Sequence, residues 1–512
     1  AGCRAGRPAA AAAAAARRRA AASTAGDGGA APSAVVADPL GETLSVVQAG
    51  EKDAPVVGVY EVVRSETTPA RSFAALAALG TAQGPAMGSQ IWVRARLATV
   101  RVKGKSSFAV LRQQSLHSVQ AVKFKSKEDG GESATAVARF FKALPLESLV
   151  DVYGTLVEAN VASCTQSNVE LQIERAYCVS KASPMLPFLL ADAQRSEAEI
   201  EASLATDRPY VRVLPDLRLD HRWLDLRVPA NNAIMRVQAA VCRLFRSSLE
   251  ARGFVEIHSP KLIAGESEGG AEVFRTDYFG RQASLAQSPQ IYKQMAISAD
   301  LPGVFEVGPV FRAENSNTNR HLCEFTGLDI EMPIDWHYDE VIKVVWETLT
   351  AICSGVEAEC AAELTTIRKM YPAPALLIPE GGPCVLHWPE AMELLAEAMG
   401  GTGRDALADL STEEEKALGR VVREKYGTDL FFLDRYPSSV RPFYTMPCKD
   451  QPEYSNSYDV IFRGQEIGSG AQRCHDPSLL EARCAELGVP TGPLQSYIDS
   501  FRHGVPPHGG VG

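Results

Sequence analysis

Charged residues interrupt two strand-forming stretches of this chain and limit the kind of sheet it can build. The first leads from Val304 to Phe311, continues as Arg312-Ala313-Glu314, and after a polar loop resumes at Arg320-His321-Leu322-Cys323-Glu324-Phe325 before a second apolar run to Ile330. The second, after Asp459–Arg463, is Glu466-Ile467-Gly468-Ser469-Gly470-Ala471-Gln472-Arg473. Strands joined this way read as hairpins, hence as an antiparallel sheet. The first stretch offers an arginine, an acid and an aromatic platform, a set suited to a bent nucleoside triphosphate with its metal ions. The second offers a metal-binding acid and an arginine placed for an anionic substrate. No Gly-x-x-x-x-Gly-Lys-Ser/Thr loop exists, and no dinucleotide glycine fingerprint follows a strand, so a nucleotide here must rest on side chains of the sheet.

A net charge of -10 excludes a bulk basic surface. A nucleic-acid partner would have to be held by local basic and aromatic patches. The 11 cysteines are odd in number and include no Cys-x-x-Cys pair, which speaks for free thiols in a reducing compartment rather than a zinc site. No apolar run of about 20 residues is present, so no membrane span is expected. The alanine run Ala9–Ala16 precedes Arg17, Arg18 and Arg19, and no acid occurs before Asp27. That composition fits either a disordered tail or an organelle transit peptide.

Residues 1–85, rich in Ala, Gly, Ser and Pro, are expected to be a mostly disordered extension, with one short strand or turn at Val56–Val63. Residues 86–182 change character. Ile91–Leu97 alternates apolar and polar residues, Phe108–Arg112 follows the Lys103-Gly104-Lys105 turn, and Ser118–Phe124, Leu149–Val157 and Val169–Val179 complete five strands, with a helix at Ala136–Leu144. Five strands with a helix after the third predict an oligonucleotide-binding (OB) β-barrel. Residues 183–215 read as a linker with an acidic helix. Residues 216–512 begin with a helix over Asn231–Arg252, ended by Gly253, and continue with strands at Phe254–Ile257, Val304–Phe311, Phe325–Ile330, Asp459–Arg463 and Gln465–Gly468. Helices are expected at Val341–Cys353 and Pro389–Met399. The fold class is α+β: an N-terminal five-stranded barrel plus an antiparallel sheet flanked by helices.

From residue 90 to 512 the chain resembles the class II aminoacyl-tRNA synthetases, in particular the aspartyl-tRNA synthetases of eukaryotic and archaeal type. Gly253-Phe254-Val255-Glu256-Ile257-His258-Ser259-Pro260 is similar to the family's first motif, which builds a homodimer interface. Arg312 to Phe325 is similar to the second. Tyr497–Gly512 approaches the third but reaches Gly512 before the family's second ATP-binding arginine, so the catalytic domain is expected to be truncated there.

The resemblance implies ATP and Mg²⁺ as cofactors and L-aspartate and tRNA(Asp) as partners. For ATP it implies Arg312, Glu314, Arg320, His321, Leu322, Phe325 and Glu466. Among these, Arg312 and Glu314 are the catalytic pair: Arg312 would hold the α-phosphate and the amino-acid carboxylate, and Glu314 would accept from the adenine amino group or the tRNA end. His321 would meet the γ-phosphate and Phe325 would stack on adenine. Gln287–Gln294 is similar to the aspartate-binding segment. Lys293 and Arg473 would grip the side-chain carboxylate, Asp329 would orient Lys293, and Ser288, Gln290 and Ser469 would complete the site. Ser267-Glu268-Gly269-Gly270 is similar to a mobile loop whose Glu268 accepts the α-amino group. Two cations on one carboxylate would reject asparagine, whose amide offers no counter-charge. Glu466 would ligate Mg²⁺ with help from Ser469; Asp459 either supports that site or merely ends a strand.

On the barrel, the resemblance implies anticodon contacts: Phe108 stacking on a base, Gln120 and Glu170 reading base edges. It implies a cytoplasmic enzyme, with organelle delivery through the basic N-terminus as the alternative, and leaves membership of a multi-synthetase complex open. Two other functions stay in competition: a non-catalytic, truncated RNA-binding relative, and an enzyme that also charges the asparagine tRNA.

Overall fold

The computed structural model describes residues 35–37, 43–47, 54–65, 71–125, 130–264, 273–315, 322–401 and 405–512. Glu268, Arg320 and His321 lie outside these. The chain divides into two compact units, residues 1–188 and 189–512.

In the first unit, strands β1 (Val35–Ala37), β2 (Thr43–Val47) and β3 (Val57–Tyr60) precede β4 (Gln90–Lys103), β5 (Ser106–Gln113), β6 (His117–Lys123), β7 (Leu149–Glu158) and β8 (Val169–Ser180). The sheet closes because β4 pairs with both β5 and β7, while β8 pairs with both β7 and β6. Alternation sorts the side chains: Val93, Ala95 and Leu97 of β4 point into the core with Leu111, Val119, Val152 and Leu171, and Arg94 and Arg96 point outward. Helix α1 (Glu132–Ala143) follows the third barrel strand and sends Val137, Phe140 and Phe141 into that core. This is a five-stranded barrel of the OB type.

Among its described residues, parts of the extension pack on the barrel. Strand β3 adds parallel to β8, Phe73 bridges to Trp92, and Leu76 and Leu79 are fully buried in the barrel core. Arg71 lies 3.8 Å over the Trp92 ring and pairs with buried Asp151. Apolar pairs this short carry no period of their own, and only the partner surface of β8 and β4 gives them a place to bury.

The second unit is built on a sheet in the order β15-β16-β17-β18-β19-β14-β13-β9. These strands are β9 (Val255–Glu256), β13 (Val304–Phe311), β14 (Glu324–Pro333), β15 (Val385–His387), β16 (Leu430–Asp434), β17 (Ser457–Phe462), β18 (Gln465–Gln472) and β19 (His508–Val511). Its central neighbours are antiparallel; β9 and β15 join the edges in parallel. A small sheet of β10 (Leu262–Ile263), β11 (Arg275–Tyr278) and β12 (Arg281–Leu285) stands beside it. Helix α2 (Pro229–Glu250) ends before Gly253, whose φ of 83° suits glycine. It packs with α3 (Asp339–Glu359) over one sheet face, where Phe245, Phe305, Ile330, Val341, Trp346, Phe432 and Val460 form the core. On the other face, Phe431, Leu433 and Ile461 join a second apolar core, while β14 presents Asp329 and Glu331 there.

Candidate functional site

Strand alternation places the site. On β14, Leu328 and Ile330 turn toward the helical core, so Phe325, Asp329 and Glu331 share the opposite face. Helix Gln290–Ser298 lies near that face and buries Lys293, which is only 1% exposed. Its Nζ donates to Asp329 Oδ1 at 2.9 Å and to the Val511 carbonyl at 3.0 Å, and sits 3.6 Å from Glu331 Oε2. From β18's end, Arg473 donates through Nε to Glu331 Oε1 at 2.9 Å and through Nη2 to Oε2 at 3.1 Å. Lys293 and Arg473, both expected to meet one substrate carboxylate, are thus brought together around a carboxylate of the protein.

Glu331 was not among the residues singled out from sequence, although an acid two places beyond Asp329 in an otherwise apolar strand was the available signal. Burial would push its carboxyl up, but Arg473 and then Lys293 outweigh that and hold it below the ordinary range. Arg473's own pKa is raised: burial opposes its charge, and Glu331 more than offsets it. Two cations face two acids, Asp329 and Glu331, in a region closed to water, so the cradle's charge balances before any substrate arrives.

Two glycines, Gly510 in β19 and Gly512 just after it, make this closeness feasible. A Cβ on Gly510 would lie 2.1 Å from Glu331 Oε2, and one on Gly512 would lie 2.5 Å from Asp329 Oδ1. Beside the cradle, Ser288 and Gln290 are buried, the Gln290 backbone N–H donates to Ser288 Oγ at 3.3 Å, and Gln290 Nε2 is buried without an acceptor among the described residues. That amide suits a ligand oxygen. Beneath lie three residues of the matched segments that carry no role of their own in the sequence reading: Gln294 Oε1 accepts from Tyr497 at 2.8 Å and faces His508 Nε2 at 3.3 Å.

At the β13–β14 hairpin, Phe311 pairs with Glu324 and the Arg312 N–H donates to the Cys323 carbonyl at 3.0 Å. The Arg312 guanidinium stands 5.6 Å from the Phe325 ring centre. Glu314 is half-buried just beyond, and Leu322 is exposed on the returning arm. Arginine, acid and ring therefore gather at one hairpin end, as a purine and its phosphates require.

Farther along the sheet, Asp459 of β17 lies directly across from Ser469 of β18. Glu466 lies on the same hairpin; the Asp459 charge first, and burial second, raise its carboxyl to about 8. The residue keeps solvent access at the strand end, which agrees with like charge being the larger cause. Arg441, also unforeseen, donates to Asp459 Oδ1 at 2.7 Å and to Ser469 Oγ at 2.9 Å while stacking 3.8 Å over Tyr436. Carboxylates left mutually repelling are a donor set that fits a hard divalent cation sharing phosphate oxygens. Among the described residues no group of three or more His, Cys, Asp or Glu forms a complete metal cage. Such a cation would therefore need ligands from the substrate.

On the barrel, Gln120 and Glu170 sit opposite one another on paired strands, with Gln120 Nε2 donating to Glu170 Oε2 at 3.1 Å. Phe108 is half-buried, with Arg101 over its ring at 5.3 Å and the exposed Phe124 edge-on at 5.9 Å. The structure thus brings together Gln120 and Glu170 and adds Phe124 and Arg101 beside Phe108.

Comparison with known proteins identifies relatives that span most of the chain. Residues 215–512 match the family model described as tRNA synthetases class II (D, K and N). The chain is 48% identical over 428 residues to the cytoplasmic aspartate–tRNA ligase 1 of Arabidopsis thaliana, covering 83% of this chain and 79% of that protein. It is 45% identical over 458 residues to the cytoplasmic aspartate–tRNA ligase of Homo sapiens, covering 89% and 88%. The solved aspartyl-tRNA synthetase of Entamoeba histolytica superposes with a TM-score of 0.79 at 40% identity, covering 91% of this chain and 92% of that one.

Proposed function

The chain belongs to the class II tRNA synthetases, among the aspartyl-tRNA synthetases, and from that premise we propose how its residues perform aspartate–tRNA ligation. The observation that carries the proposal is the buried cradle of Lys293, Arg473, Asp329 and Glu331. Aspartate's side-chain carboxylate enters between Lys293 and Arg473, which the two acids hold in place. Asparagine would set an uncharged amide against the two buried cations and gain less there than a carboxylate does. Ser288, Gln290 and Ser469 orient the substrate backbone, and Glu268 closes on the α-amino group.

ATP lies along the β13–β14 hairpin with adenine against Phe325. Arg312 faces both the α-phosphate and the substrate α-carboxylate. One carboxylate oxygen bonds to the α-phosphorus as the bond to pyrophosphate breaks, and Arg312 balances the negative charge that accumulates at phosphorus. Glu314, Arg320, His321 and Leu322 complete the nucleotide contacts. Glu466, with Asp459 and Ser469, would hold Mg²⁺, which neutralises the phosphates when bound. In the second step the terminal hydroxyl of tRNA(Asp) attacks the aspartyl carbonyl and AMP departs. No protein nucleophile is required.

The barrel receives the anticodon through Phe108, Gln120 and Glu170. Exposed Leu219, Trp223, Ile234 and Met235 around the start of α2 give an apolar surface suited to a second copy, which supports a homodimer. The matched relatives are named cytoplasmic, and no described helix is long and apolar enough to cross a membrane. Those names support cytoplasmic work for this chain. Organelle delivery would instead show as a residue 1–85 fusion concentrated in an organelle.

The decisive experiment is ATP–pyrophosphate exchange by the protein expressed from its full reading frame, with aspartate, asparagine and lysine offered separately. Exchange is expected with aspartate alone. Equal exchange with asparagine would overturn the selection argument, and none with any of the three, in a folded protein that binds tRNA, would establish a non-catalytic relative.

A further inference from the structure

Arg441 is more deeply committed to the phosphate end of the site than a salt bridge requires. Its guanidinium lies on the Tyr436 ring at 3.8 Å and is largely buried, and its two Nη groups reach different strands: Asp459 Oδ1 on β17 at 2.7 Å and Ser469 Oγ on β18 at 2.9 Å. Its Nε–H has no acceptor among the described residues, so these two bonds are its polar anchors there. Both oxygens it holds belong to the group assigned above to the metal. Glu466 and Glu415 face the same place; the Glu466 N–H donates to Glu415 Oε2 at 3.3 Å. Arg441 therefore brings a positive charge directly against this acidic basin.

We propose that Arg441 is a positioning residue that acts as resident counter-cation of the phosphate pocket: it holds Asp459 and Ser469 in register before substrates bind, and keeps a free divalent cation out until nucleotide phosphates accompany it. The inference rests on the function proposed above. A guanidinium forked across two strands fixes oxygen positions that carboxylate repulsion would otherwise spread. The same positive charge repels a bare divalent ion, whereas a cation carrying triphosphate brings its own negative charge and ligands. Metal and nucleotide would then enter together, with Arg441 yielding one oxygen as they do.

The test is Mn²⁺ binding to the full chain, read by the electron paramagnetic resonance of free Mn²⁺, with and without a non-hydrolysable ATP analogue. Nucleotide-free wild type is expected to bind little Mn²⁺ at millimolar concentration and to bind it once the analogue is added. Arg441→Met is expected to bind Mn²⁺ without nucleotide about tenfold more tightly than wild type, because a like charge is removed, and to raise the KM for ATP about tenfold. Arg441→Lys should keep the exclusion while losing the fork, so that only the KM rises. Tight binding by nucleotide-free wild type overturns the inference, and needs no variant that must fold. Equal affinity of Arg441→Met and wild type without nucleotide overturns it too. A wild type that takes no Mn²⁺ even with the analogue would instead reject the metal pocket, and with it the reading on which the inference depends.

Discussion

Arg473 and Glu331 face each other fork to fork, with both bonds between 2.9 and 3.1 Å and both side chains buried, one at the end of β18 and one on β14, with β19 between those strands. The pair is a fixed wall of the aspartate cradle, and Lys293 at 3.6 Å shares the same carboxylate. Removing one partner of such a group leaves charge uncompensated away from water. Glu331→Gln is expected to cost about 3–5 kcal/mol of stability and to raise the KM for aspartate. Urea unfolding and exchange kinetics measure the two effects separately; a stable variant with unchanged KM refutes the role.

Glu331 also predicts a pH dependence. Its folded pKa lies below the unfolded value of 4.5, because Arg473 and Lys293 overcome burial. The corresponding stability is present above the unfolded value and is lost as pH falls through the folded one. Unfolding free energies measured downward from pH 6 should therefore fall more steeply below 4.5 for wild type than for Glu331→Gln. Parallel curves would remove Glu331 from the acid response.

Arg312→Ala is expected to lower the rate of pyrophosphate exchange by about 10²–10³-fold with a small change in stability, since the side chain sits at a hairpin end. Lys at that position should recover little, because a point charge cannot face phosphate and carboxylate together. Exchange at wild-type rate in the alanine variant contradicts the proposed mechanism.

Lys293→Met tests selection. It removes one of the two cations, so aspartate activation should fall by about 10²-fold or more while asparagine changes less. The ratio of kcat/KM for the two amino acids is the quantity to measure, and a ratio that does not move would place discrimination elsewhere.

Phe108→Ala addresses the barrel alone. Loss of one stacked base corresponds to about 1–3 kcal/mol, so the KM for tRNA should rise while exchange without tRNA stays at the wild-type rate. A raised KM together with slower exchange would point to a damaged fold, which circular dichroism would reveal.

Gly510→Ala asks whether the backbone approach is required. The added methyl would meet Glu331 Oε2 and the Ile330 carbonyl, each at 2.1 Å. A loss of about 1–3 kcal/mol is expected, with weaker aspartate binding; a neutral variant would mean that β19 can shift without disturbing the cradle.

Much of this architecture is local and therefore readable. Alternation in Ile91–Leu97 and in Phe325–Ile330 sets which side chains face the core, and β4 and β14 cover those runs. Gly253 stops a helix by backbone conformation alone. The gathering of Arg312, Glu314 and Phe325 at one hairpin end follows from their spacing along a single hairpin. Lys293 and Asp329 become readable as partners only through family resemblance, since 36 residues separate them.

What the chain's sequence determined, then, is periodicity, turn chemistry and the residue types available for catalysis, because these depend on neighbours within a few positions. Only the tertiary structure decided that Glu331 pairs with Arg473 beside Lys293, that Arg441 bridges Asp459 and Ser469, and that Leu76 and Leu79 leave a low-complexity segment to enter the barrel core. Each depends on strands distant in sequence lying side by side, where burial makes charge balance and apolar contact decisive.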